Sequence, residues 1–193
     1  GSVNLTVSNA AASGAGTVVT LGDGSNTVTM LSSMNDVITG GAGSDTLVLG
    51  GGASSSRGSN TVDLGAGTDV LSFDVAGAAE ANGIIINVGS SDAFLNGASG
   101  GTAASDELVA TLTAYSRSND DGNTAGAIAT FTGVERYVGT DQADIMISGA
   151  TGANMNGAAG DDSIIGGTGV DTITGGVNGR VKVSQRAAQN VAT

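Results

Sequence analysis

Two consecutive nine-residue blocks constrain this chain more than anything else in it: Gly157-Ala158-Ala159-Gly160-Asp161-Asp162-Ser163-Ile164-Ile165 and Gly166-Gly167-Thr168-Gly169-Val170-Asp171-Thr172-Ile173-Thr174. Each is glycine-rich over its first four positions, with an aspartate sixth, a small residue seventh and a large aliphatic eighth. Glycine accepts the positive φ that a backbone needs to double back tightly. The three residues after the aspartate suit a short strand, whose alternation sends the large aliphatic to one face. A turn plus a strand is half a coil. Two such units make a full turn of a solenoid, and stacked turns build parallel sheets around a narrow interior.

The same shape recurs along the chain. Gly40-Gly41-Ala42-Gly43-Ser44-Asp45-Thr46-Leu47-Val48 matches it throughout. Leu64 to Ser72, with Asp69 sixth, and Gly139 to Ile147, with Asp144 sixth, match with substitutions. Leu31 to Thr39 is degenerate but keeps Asp36 and Ile38. Leu21 to Thr29 and Gly58 to Asp63 carry Asn26 and Asn60 where the acid belongs, more in keeping with an asparagine ladder than with a cation site. Met30 reads as a one-residue insertion, and a Gly/Ser loop from Leu49 to Ser56 breaks the register. In Ser148 to Asn156 the sixth residue is Ala153. In Gly175 to Val183 it is Arg180, a cation placed to pair with Asp162 one coil earlier and close the stack.

Acids that recur one coil apart lie above one another on the same edge of a solenoid, where they repel unless a cation joins them. The chain has no His and no Cys, so the ligands would all be oxygens. Such a set favours Ca²⁺, which accepts 6–8 oxygens in flexible geometry, over Mg²⁺, which demands a near-ideal octahedron.

Composition leads to the same fold class. Glycine occupies 34 of 193 positions, yet proline is absent and no G-X-Y period exists, which excludes collagen. Aromatics at 3% are too few for a conventional globular core, whereas a solenoid needs only stacked Val, Ile and Leu. The expected fold is therefore all-β, a right-handed parallel β-roll or β-helix solenoid with a less regular β-rich insert. A net charge of −12 argues against nucleic acid, whose binding needs basic patches. Without cysteine there is no disulfide framework. No transmembrane segment or signal peptide is visible, and Gly1-Ser2 reads as an expression scar on a fragment of a larger protein.

From Phe73 to Val138 the nonapeptide disappears. Ile84 to Val88, Leu108 to Leu112 and Ile128 to Phe131 read as strands, with a polar loop from Ser116 to Thr124 and a small core of their own. The divisions expected are N-terminal strands at 1–20, a roll at 21–72, the insert at 73–138, a second roll at 139–183 and a tail at 184–193.

The repeats resemble those of RTX proteins, calcium-binding proteins exported by type I secretion from Gram-negative bacteria. The segment Val134-Glu135-Arg136-Tyr137-Val138 through Asp144 is similar to the lead-in of such arrays. The resemblance implies several Ca²⁺ ions, each shared by sixth-position acids of alternate repeats and by carbonyls of the turns. The acids would be Asp36, Asp45, Asp69, Asp144, Asp162 and Asp171. The turns would use Gly40, Gly41, Gly43, Gly157, Gly160, Gly166, Gly167 and Gly169. It also implies a secreted, extracellular location. The Ala/Thr/Gly/Ser/Val-rich character further resembles RTX-type surface-layer (S-layer) proteins of alphaproteobacteria. That implies self-association into a lattice or filament, with cell-surface glycan anchoring through parts outside this sequence. The alternative is the RTX region of a secreted adhesin or enzyme, serving as a folding and export module.

No catalytic role is expected. There is no His for proton transfer, no Cys nucleophile and no Gly-x-Ser-x-Gly elbow. Asp106, Glu107, Tyr115 and Arg117 in the insert lack an orienting partner, and Asp120-Asp121-Gly122-Asn123 reads as a solvated loop.

Overall fold

The large aliphatic of each nonapeptide becomes the inner wall of the molecule. In the computed structural model, which describes residues 1–8, 15–32, 34–50, 58–74, 83–89, 93–94, 108–109, 113–118, 123–177 and 182–185, every described element is a strand. The first coils are built from β1 (Asn4–Val7), β2 (Val18–Thr20), β3 (Thr27–Met30), β4 (Val37–Gly41), β5 (Thr46–Leu49), β6 (Asn60–Gly65) and β7 (Val70–Ser72). The insert supplies β8 (Ile84–Asn87), β9 (Ala93–Phe94), β10 (Leu108–Val109), β11 (Thr113–Ser118) and β12 (Asn123–Thr132). The coil then resumes with β13 (Arg136–Val138), β14 (Ile145–Ile147), β15 (Asn154–Asn156), β16 (Ser163–Gly166), β17 (Thr172–Thr174) and β18 (Lys182–Gln185).

Successive half-coils alternate between two sheets. The first has the order β1-β3-β5-β7-β13-β15-β17 and is parallel throughout. The second runs β18-β16-β14-β8-β11-β12-β6-β4-β2 and is parallel except at β11, which lies antiparallel to both neighbours. This is the parallel β-roll expected from the repeats. Register keeps like positions together: Val28, Leu47 and Leu71 pair along the first sheet, and Met146 and Ile164 along the second. All five are buried in one continuous core. Each fully buried aliphatic contributes about 1.5–3 kcal/mol.

The insert departs from expectation in two ways. Its inward residues Ile84, Ile86, Ile128 and Phe131 join the same core as the roll rather than forming a separate one. The two ends of the stretch expected as a loop from Ser116 to Thr124 are strand instead, paired antiparallel with Arg117 opposite Thr124 and Ser118 opposite Asn123; residues 119–122 lie outside the described residues. In the first sheet β7 pairs directly with β13, while in the second β12, β11 and β8 stand between β6 and β14. The chain thus skips ahead to β8, returns through β11 and β12, and rejoins the coil where it left.

The isoleucines flanking the inward positions are not solvated. Ile145 and Ile147 form a second cluster with Ile85, and Ile165 packs against it. Alternation places this cluster on the outer face of the second sheet. No helix of the described residues is long and apolar enough to cross a membrane.

Candidate metal centre

The sixth residue sits where the turn feeds the strand, and in five of the blocks it is a buried acid. Asp36, Asp45, Asp69, Asp144 and Asp162 are each at most 2% exposed. They stack in two ladders built by one rule: a carboxylate accepts the N–H of the sixth-position residue one coil earlier. In one ladder Asp45 Oδ1 accepts from Asn26 N at 2.9 Å, and Asp69 Oδ1 from Asp45 N at 2.7 Å. In the other, Asp162 Oδ1 accepts from Asp144 N at 3.0 Å, and Asp36 Oδ1 from Thr17 N at 2.6 Å. The sequence separations are 19, 24, 18 and 19 residues. The first carries the Met30 insertion and the second the Gly/Ser loop, so the coil absorbs extra residues without losing the ladder.

The second oxygen reaches back into its own turn. Asp45 Oδ2 accepts from Gly41 N, Asp144 Oδ2 from Thr140 N and Asp171 Oδ2 from Gly167 N, each four residues earlier. Asp171 Oδ1 also takes the Ala153 N–H and the Ser148 hydroxyl. The coil that lacks an acid at Ala153 is therefore still held by the acid above it. Asn26 and Asn60 behave as the ladder residues expected of them. Asn26 donates to the carbonyls of Gly22 and Gly24 and to Asp45, while Asn60 accepts from Asp36 N and donates to Ile128 O.

The glycines are clearances between coils. A Cβ at Gly167 would strike the carbonyl of Gly149, one at Gly41 that of Gly22, and one at Gly43 the backbone of Gly24. At Gly40 it would strike the carbonyl of Leu64 in the next coil, at Gly157 the carboxylate of Asp162 in its own turn, and at Gly169 the Gly152 backbone. Gly160 adopts φ 106°, and Gly166 ends β16 opposite Gln185. Ala158 is the exception, holding φ 69° with a side chain attached, a left-handed conformation that L-residues resist.

Sequence reasoning missed Glu135. Its Oε2 accepts from Asp69 N at 2.9 Å, the role played elsewhere by a sixth-position aspartate. The signal was present in Gly133-Val134-Glu135-Arg136-Tyr137, a repeat with glutamate for aspartate and tyrosine for the aliphatic. Arg180, Asp106, Glu107, Asp120 and Asp121 lie outside the described residues, as do the side chains of Tyr115 and Arg117.

Burial sets the electrostatics. Desolvation raises the carboxyl of Asp144 from 3.8 to about 7, with Asp162 adding to the rise and hydrogen bonds from Ile84 and Thr140 opposing it. Asp69 is also raised, first by desolvation and then by Glu135 and Asp45, against the lowering effect of the Asp45 N–H. Its Oδ2 is buried without a hydrogen-bond partner. A buried anionic oxygen with no donor calls for a proton or a cation. Among the described residues no three acidic side chains converge on one point, so turn carbonyls would complete any ligand shell. Such a shell, carboxylate and carbonyl oxygens alone, fits Ca²⁺.

The family comparison agrees with this chemistry. Residues 33–55, 54–74 and 148–178 match the RTX calcium-binding nonapeptide repeat. These segments are RTX repeats. They bind Ca²⁺ ions, and RTX repeats are typical of secreted bacterial proteins. A search of curated proteins finds no match. The matched segments contain Asp36, Asp45, Asp69, Asp162 and Asp171. Asp144 and Glu135 lie between them, in coils that the ladder nevertheless includes.

Proposed function

We propose that this chain is a calcium-folded structural module of a secreted cell-surface protein, most simply a fragment of an S-layer subunit in which the ions that fold the coil also support assembly. The observation that carries the reading is the stack of buried carboxylates with Asp69 Oδ2 left open. Carboxylates one strand spacing apart, about 4.8 Å, repel by about 3 kcal/mol at an effective dielectric of ~20. Asp36, Asp45, Asp69, Asp144, Asp162 and Asp171 hold the ions together with carbonyls of the glycine turns. Without calcium this repulsion adds to the entropy of ordering so many glycines, and the chain stays unfolded. With calcium, ion affinity becomes folding free energy. A chain of this kind crosses a secretion channel unfolded and folds where calcium is abundant. The module works structurally and not as an enzyme.

Negative-stain microscopy and sedimentation, with and without calcium, test the lattice role. Sheets or filaments that form only with the ion support it; a strict monomer at all calcium concentrations contradicts it. The interruption of the array by β8 to β12 favours a second reading, the RTX region of a type I-secreted adhesin. A ligand captured by that segment would move the assignment there.

A further inference from the structure

We propose that Glu135 is a calcium ligand that completes, with Asp69, an ion site at the junction where the coil resumes after the insert; this rests on the calcium reading above. No repeat match covers Glu135. The register places it over Asp69, because Arg136 pairs with Val70 and Tyr137 with Leu71. The two residues are joined on both sides. Glu135 Oε2 accepts from Asp69 N, and the N–H groups of Glu135 and Arg136 donate to Asp69 O at 3.3 and 3.0 Å.

The open oxygen of Asp69 points to a ligand independently of this stack of acids. In the turns of Asp45 and Asp171 the second carboxylate oxygen is closed by the N–H four residues earlier. For Asp69 that donor is Gly65 N, and it is diverted to Asp63 Oδ1 at 3.3 Å. The diversion accompanies a changed turn, since Gly65 holds φ 89° and Gly133 of the returning coil packs against its backbone. Asp69 is 0% exposed, its Oδ2 has no partner, and no ion pair to a Lys or Arg is formed there among the described residues. A divalent ion bound at Oδ2 draws its second charge from Glu135. In this way the ion fastens the roll across the gap from which the insert emerges.

Terbium(III) is the probe, because it takes calcium's oxygen ligands and emits when a neighbouring tyrosine is excited. The chain has two tyrosines and no tryptophan, and Tyr137 is buried two residues from Glu135. Tyrosine-sensitised emission is expected in the wild type, displaced by excess calcium and lost in Tyr137→Phe. It should be lost in Glu135→Gln and retained in Glu135→Asp. Glutamine still offers an oxygen to Asp69 N, so a mere backbone cap predicts that Glu135→Gln titrates like the wild type. That result overturns the proposal. Should Glu135→Gln fail to fold, a terbium-soaked wild-type crystal decides, with an anomalous peak at Asp69 Oδ2 supporting the site and its absence refuting it. A wild type that shows no calcium response by circular dichroism strikes the calcium reading itself. A calcium-responsive wild type with an unaffected Glu135→Gln strikes only this inference.

Discussion

Replacing Asp144 with asparagine should change stability in opposite directions with and without calcium. The side chain is 1% exposed, and its carboxyl is raised from 3.8 to about 7, chiefly by desolvation. At about 1.4 kcal/mol per unit, holding it ionised at pH 8 costs the metal-free fold about 4 kcal/mol. Asparagine removes that charge but turns an NH₂ toward Thr140 N, which now donates to Oδ2 at 2.6 Å. Losing that acceptor costs about 1–3 kcal/mol. The variant should therefore be more stable than the wild type in chelator, by about 1–3 kcal/mol. At a calcium concentration ~1,000 times Kd, the wild type gains about 4 kcal/mol from an ion at this site that the variant forgoes, and the ranking reverses. Urea unfolding followed by circular dichroism measures both limbs, with trimethylamine oxide-driven refolding used where the metal-free chain is already unfolded. Equal destabilisation in calcium and in chelator would show that Asp144 acts only as a hydrogen-bonding cap.

Other substitutions and pH test the same account. Ala158→Gly should stabilise the calcium-bound protein by about 1 kcal/mol in urea, since it relieves a left-handed alanine at φ 69°; no change would mean that the turn relaxes freely. Gly167→Ala forces a Cβ into the Gly149 carbonyl and should cost about 1–3 kcal/mol or more even in saturating calcium. Because the folded carboxyl of Asp144 is raised, the folded metal-free chain binds a proton that the unfolded chain releases. Its stability should then fall as pH rises from about 4 to about 7, with the full cost present above that window. Calcium affinity should show the opposite trend and weaken as pH drops below about 7, where the proton competes with the ion. A pH-independent calcium midpoint between 5 and 8 would contradict the burial of that charge.

The fold was legible because one regularity, a glycine turn, an acid and an aliphatic two places later, encodes both turn and strand. Leu47, Leu71, Met146 and Ile164 could be assigned to the interior from the eighth position alone. The insert was less readable. Ile84 to Asn87 and the strand containing Phe131 announce themselves, but nothing local says that β8 will join the second sheet beside β14 while β12 joins beside β6. Partner choice in a sheet is a long-range property, and the sequence pattern carries only the period of two. At the candidate site, the acids and glycines were found by position. The use of each carboxylate as a cap on the preceding coil was not, because that role depends on a neighbour 18 to 24 residues away. Glu135 escaped for a different reason: its longer side chain and the tyrosine that follows disguise a repeat whose backbone is otherwise in phase.

The coupling of calcium to folding is tested most directly by far-ultraviolet circular dichroism of the chain in excess chelator, then titrated with calcium and, separately, with magnesium. The β signal should be absent in chelator, return cooperatively with calcium, and return poorly with magnesium. A β spectrum that persists unchanged in chelator would show that the stacked acids fold without an ion, and the account would fail.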